Sequence, residues 1–351
     1  MFKNKRLVFL IIIGLSSLFL IAGCRGDSGD DIPSVEDNSF MMNTLIQMRA
    51  HGENAELAVE ESMDRIREIE YLMSRTLEDS EIYQINNNPQ QFIEINDESK
   101  KVLEKSIYYA ELSSGKFNPT IGSIVDLWGI GTDKARVPSQ EEVAEALEYV
   151  DYNYLEIEEN RARVTKEGVK LDLGAIAKGY AADEVREIIK KHDVPSAFVN
   201  IGGNVLVVGN NVDDSKWRIG IQDPRRGRGN VMAIVESRDQ TIVTSGNYER
   251  YFEEDGEIYH HIFDPESGYP ARTGLLSVTI ITESSLDADA LSTIVFVKGL
   301  EEGIRFIENI PDAEAMFITE ELDVYLSSAL NDNLEITSPD FNLIEGENFA
   351  N

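Results

Sequence analysis

Residues 171–185, Leu171-Asp172-Leu173-Gly174-Ala175-Ile176-Ala177-Lys178-Gly179-Tyr180-Ala181-Ala182-Asp183-Glu184-Val185, decide how the rest of the chain is read. Leu171 and Leu173 flank Asp172 with the period of a buried strand end, and Gly174 permits a sharp turn. Ala175, Ile176, Ala177, Ala181 and Val185 then follow a helical apolar spacing, which predicts a helix that starts at once and runs to Lys191. A strand running into a helix N-terminus leaves backbone N–H groups free at the positive end of the dipole, a ready site for an anion such as a phosphate. Asp172 and Lys178 add an acceptor and a cation to the same small space. Taken alone, the stretch is an ordinary strand–helix junction with surface charges. The downstream sequence changes that balance.

Three further clusters carry side chains fit for chemistry. His260 and His261, two of only four histidines, sit side by side at a strand end before a Pro-Glu-Ser-Gly turn. Period 2 sends neighbours to opposite faces, so one can face a site while the other faces away, and histidine is the natural general base near neutral pH. Asp289 and Thr293 are four apart on a helix over Asp287–Lys298 and share one face. A carboxylate, a hydroxyl and a main-chain carbonyl make an oxygen-only half-site that suits Mg²⁺. The bland counterpart is an Asp cap with a Thr bonded back onto its own helix. Finally, Asn200-Ile201-Gly202-Gly203-Asn204 brings a strand to paired glycines, where a flat ligand or another backbone can approach closely, or where a bulge forms.

The 351 residues, 42% of them hydrophobic, suffice for one large globular domain or two small ones. Lys3, Lys5 and Arg6 precede an apolar run, Leu7–Leu20, too short to span a membrane comfortably. Ile21-Ala22-Gly23-Cys24 closes the segment with the only cysteine of the chain, an arrangement that resembles a bacterial lipoprotein signal lipidated at Cys24. No thiol then remains for disulfides or cysteine catalysis. Residues 24–39 read as an acidic flexible tether, 40–330 as the folded domain and 331–351 as a loose polar tail. The net charge is −32, and −35 without residues 1–23, which argues against nucleic acid or anionic lipid heads as partners.

Within 40–330, a first strand is expected at Phe40–Ala50, then helices at Asn54–Met73, Asp97–Ser114 (capped by Asp97) and after Ser139, where Glu142 completes a capping box. Tyr152–Thr165 reads as a hairpin, and β-rich stretches follow Pro195. Helices and strands in mixed order suggest α+β.

In sequence order, LDLGAIAKGYAADEV, FVNIGGNVLVVG, TSGNYERYF, HHIFDPESGYP and DADALSTIVFVKG resemble the bacterial FAD:protein FMN transferase family, which moves FMN from FAD onto proteins. SRTLEDSEIYQIN and FNPTIGSIVDLWGIG look like that family's N-terminal signatures, so the likeness covers roughly residues 40–330. It implies a single T-fold-like α+β domain with a central, mainly antiparallel sheet and packed helices. It implies that FAD lies in an extended groove with Mg²⁺ on its pyrophosphate, the metal held by the Ala175 carbonyl and the Asp289 and Thr293 side chains. Met42, Asn86, Asp126, Leu127, Trp128, Asp172, Lys178 and Ile262 are then FAD contacts. His261 is the base for a Thr or Ser hydroxyl of a target protein that attacks the FMN phosphorus and releases AMP. The implied partners are flavin-acceptor domains of extracytoplasmic electron-transfer proteins, met at the outer face of the cell membrane. Water as nucleophile would instead give an FAD pyrophosphatase, and loss of chemistry a flavin-binding lipoprotein. A store needs neither base nor metal, so His261 with Asp289 and Thr293 favours an enzyme.

Overall fold

Residues 34–51 form two strands where one was expected. Met42 and Asn43 both take left-handed backbone, φ 51° and 56°, and reverse the chain between Ser34–Met41 (β1) and Thr44–His51 (β2). The computed structural model describes residues 32–227, 229–330 and 333–344. The signal segment 1–23 and Cys24 lie outside the described residues.

After β2 come Ala55–Met73 (α1), Glu81–Asn87 (α2), Ile93–Glu94 (β3), Asp97–Leu112 (α3), Gly122–Trp128 (α4) and Gln140–Leu147 (α5). The hairpin Leu155–Glu158 (β4) and Arg161–Val164 (β5) precedes Ala177–Lys191 (α6). Then follow Ser196–Ile201 (β6), Asn204–Val208 (β7), Trp217–Gln222 (β8), Val231–Ser237 (β9), Thr241–Gly246 (β10), Tyr251–Glu254 (β11) and Glu257–His260 (β12). Leu275–Thr282 (β13), Ser285–Lys298 (α7), Leu300–Ile307 (α8), Glu314–Thr319 (β14), Asp323–Leu326 (β15), Leu334–Ile336 (β16) and Asn342–Leu343 (β17) complete the order.

Nine strands make the main sheet, β1-β2-β6-β7-β10-β13-β14-β15-β17, antiparallel at every pair except β15–β17. Its strands alternate between two cores, as a pleat buried on both faces requires. Met48, Val243, Ile280 and Phe317 face one core, shared with Val59, Met63 and Ile66 of α1, Val185 of α6 and Ile294 of α7. Val207, Ile242, Ile281 and Met316 face the other, closed by Trp217, Ile219 and Val235 of the small β8-β9-β16 sheet. The α+β architecture with a large antiparallel sheet is therefore as expected. The α7 helix is buried on nearly every side, as an apolar sequence all round its circumference dictates. No described helix is long and apolar enough to cross a membrane.

Several expectations change. The tether ends earlier than residue 39, because β1 starts at Ser34 and pairs with β2 over its whole length. The tail is not loose over 334–343: β16 pairs with β9, β17 with β15, and Phe341 is buried beneath the Arg225 guanidinium. Gly202-Gly203 is not a bulge but the two-residue turn joining β6 to β7, and another stretch of backbone does approach it: Gly202 N–H donates to Leu45 O at 3.2 Å, and a Cβ on Gly202 would lie 2.1 Å from Thr44 Oγ1. The α3 cap is Asn96, not Asp97, its side chain accepting from Ser99 N–H. The Ser139–Glu142 capping box is present.

Candidate active site

Leu171–Leu173 alternates in burial but joins no ladder, and a turn over 174–176 delays α6 until Ala177. Its backbone is held by side chains instead. The Asn86 amide donates to Leu171 O at 2.9 Å and accepts from Leu171 N–H at 2.6 Å, while Asp172 N–H donates to Pro119 O. Asn86, expected against FAD, is thus buried with its amide used as a brace for this segment.

At the N-terminus of α6 the free N–H groups find an anion from the chain itself. Asp289, 4% exposed on α7, accepts from Gly179 N–H at 2.9 Å. Asp183 of α6 returns the favour, accepting from Ser285 N–H at 2.8 Å and Leu286 N–H at 3.0 Å at the start of α7. Two helices whose positive ends meet repel each other unless carboxylates cap them, and here each helix caps the other. Neither the capping role of Asp183 nor the close approach at Gly179 was anticipated from sequence. The spacing of four between them, one turn along one face, was the available signal.

Lys178 completes the cluster: its ammonium donates to Gly174 O at 2.7 Å and lies 3.4 Å from Asp289 Oδ1. Thr293 stands one turn beyond Asp289, and neither its hydroxyl nor the Ala175 carbonyl has a hydrogen-bond partner among the described residues. A buried carboxylate, a free hydroxyl and a free carbonyl, with a cation already drawn to the carboxylate, fit a small hard cation. No three His, Cys, Asp or Glu side chains converge among the described residues, so any metal here would be held by one carboxylate and neutral oxygens.

The histidines divide as their alternation predicts. His260 is buried against Phe296, its Nε2–H donating to Ala271 O at 3.0 Å and its Nδ1 accepting from Ile262 N–H. Burial holds its pKa down to about 4. His261 points the other way. Its Nδ1 meets Arg250 O at 3.2 Å, and because a carbonyl only accepts, the proton sits on Nδ1 and the Nε2 lone pair is free. Although one edge of the ring reaches solvent, crowding by protein first, then the Arg250, His260 and Lys178 charges, lowers its pKa to about 3. The Arg250 side chain also donates to Asn43 O at 3.1 Å, which brings the turn carrying half-buried Met42 to the same place.

Asp126 and Leu127 lie on α4 with Asp126 exposed, and Arg75 links Asp126 to Asp172. Trp128 ends α4. Its indole is fully buried among Tyr259, Phe263 and Tyr269 and donates to Gly268 O, so its side chain is packed as a core piece. Ile262 is likewise buried, bonded through its carbonyl to Ala271 N–H.

Residues 42–317 match the model of the ApbE family. The chain is 36% identical over 323 residues to the FAD:protein FMN transferase of Treponema pallidum (strain Nichols), covering 86% of this chain and 89% of that protein. A crystal structure of the ApbE protein from Thermotoga maritima superposes with a TM-score of 0.77 at 36% identity, covering 82% of this chain and 95% of that one. The flavin transferase ApbE from Vibrio cholerae gives 0.78 at 27% identity, covering 86% and 100%. The chain belongs to the ApbE family.

Proposed function

We propose that the protein is a Mg²⁺-dependent FAD:protein FMN transferase. Two observations carry this: His261, held through Nδ1 with its Nε2 lone pair free, and the Lys178–Asp289 cluster at the α6 N-terminus. In this reading His261 takes the proton of an acceptor Thr or Ser hydroxyl as its oxygen attacks the FMN phosphorus. A new P–O ester bond forms, the bond to the bridging oxygen breaks, and AMP leaves. An incoming diphosphate raises the pKa of a histidine beside it, which strengthens the base when substrate is bound. Lys178 and the remaining α6 N–H groups offset negative charge on the diphosphate. Asp289, Thr293 and the Ala175 carbonyl would hold Mg²⁺, which supplies charge neutralisation on the pyrophosphate when bound.

The acceptors in this reading are extracytoplasmic redox proteins, reached by a protein anchored to the membrane through lipid on Cys24. The test is to incubate the full-length chain, in detergent, with FAD, Mg²⁺ and a flavodomain bearing an acceptor threonine. Denatured samples are then scanned for in-gel flavin fluorescence. A covalent band lost in His261→Ala and on chelation supports the proposal. AMP without a band indicates hydrolysis instead, and intact bound FAD with neither product indicates a flavin store.

A further inference from the structure

Arg75 belongs to the loop after α1 and has no part in the proposed chemistry, yet among the described residues it is the side chain that joins both carboxylates expected near FAD. It is 19% exposed, and its guanidinium reaches three groups on two segments. Nη1 lies 3.1 Å from Asp172 Oδ2, while Nη2 donates to Asp126 Oδ1 at 2.6 Å and to Gly122 O at 3.1 Å. The other Asp172 oxygen accepts from Gly174 N–H at 2.8 Å, so this carboxylate is fixed at both ends. The two segments run together at close range. Gly122 N–H donates to Lys170 O at 3.0 Å, and a Cβ at Gly122 would lie 2.6 Å from that oxygen. Arg75 bridges the two segments, and Asn86 braces one of them through the Leu171 backbone.

We infer that Arg75 is a positioning residue of the flavin-nucleotide site: it fixes Asp172 and, by neutralising one of two adjacent carboxylates, lets an anionic diphosphate approach. This rests on the proposed function. In a chain of net charge −32, Asp126 and Asp172 left unpaired would repel such a ligand and swing free of each other. The planar fork of arginine serves two carboxylates and a carbonyl at once, which a lysine ammonium does not.

The test is FAD titration of the full-length chain by quenching of flavin fluorescence, with Arg75→Gln, Arg75→Lys, Asp172→Asn and the double variant Arg75→Gln/Asp172→Asn. Loss of a charge-assisted contact network predicts FAD binding weakened about tenfold to a hundredfold in R75Q. KM for FAD rises in step while kcat at saturating FAD stays within about threefold, as expected where ground-state positioning alone is lost. R75K recovers part of the affinity. Because Arg75 acts through Asp172, the double variant binds FAD no more weakly than the worse single one. R75Q binding FAD like the wild type, or additive effects in the double variant, would overturn the inference. So would a fall in melting temperature with unchanged affinity, which marks a purely structural residue. If R75Q does not fold, R75K with unchanged affinity and KM would overturn it equally. A wild-type chain that binds no FAD would remove the proposed function as well, whereas normal wild-type binding unmoved by Arg75 removes this inference alone.

Discussion

Replacing Gly179 by alanine tests the helix contact on which the site is built. A Cβ there would lie 2.2 Å from the Ser285 carbonyl oxygen and 2.7 Å from Leu286 Cα, where ordinary contact begins at 3.4 Å. The obstacle is backbone at the start of a buried helix, so it cannot swing aside; α7 has to retreat. Overpacking of this kind costs about 1–3 kcal/mol. Pulling the helices apart also stretches the mutual caps, Asp289 on Gly179 N–H and Asp183 on Ser285 and Leu286 N–H, each worth about 1 kcal/mol. Alanine's better helix propensity returns about 1 kcal/mol. The net loss is about 2–3 kcal/mol, or roughly 3–5 °C in melting temperature for a chain of this size. Gly227→Ala is the control, since a Cβ there meets nothing within 4 Å and its φ is not positive. Differential scanning fluorimetry reads both. Gly179→Ala melting within about 1 °C of the control would refute the close-contact reasoning.

Other outcomes follow from single features of the structure. His260 and His261 stay neutral down to about 4 and about 3 in the fold but titrate near 6.5 when unfolded. From about pH 6.5 downward the unfolded chain therefore binds more protons, so stability present above 6.5 is lost as pH falls. Urea midpoints measured at pH 6.5 and 5 should show this decline, and His261→Gln should flatten it; an unchanged slope in that variant counts against a neutral His261. Trp128→Phe leaves Gly268 O without its donor and shrinks a packed ring cluster, costing about 1–3 kcal/mol with FAD affinity unaltered. A weakened FAD Kd would contradict the burial of that indole. Phe341→Ala should lower stability by about 3 kcal/mol, because the ring closes the β8-β9 core; no change in the urea midpoint would mean this segment does not pack there.

What the sequence determined by itself was whatever depends on neighbours in the chain. The Ser139–Glu142 capping box, the apolar stripe of α1, the opposite facing of His260 and His261 and the shared face of Asp289 and Thr293 all follow from fixed periods of 2 and 3.6 residues. The order of the motifs was legible for the same reason. Boundaries at the ends were misread because β1 is polar and the strands of the 334–343 segment are polar and short, and they gain order by pairing with β2, β9 and β15. Only the tertiary structure decided which side chains line the site and which support it. The resemblance implies that Trp128 and Asn86 contact FAD; the structure packs the indole in an aromatic cluster and bonds the amide to Leu171, with hydrogen-bond partners 85 or more residues away. Arg75, Asp183 and Gly179 carried no sign of their roles, because a salt bridge across 51 residues, or a Cβ-sized gap beneath a second helix, is a property of packing and not of local order.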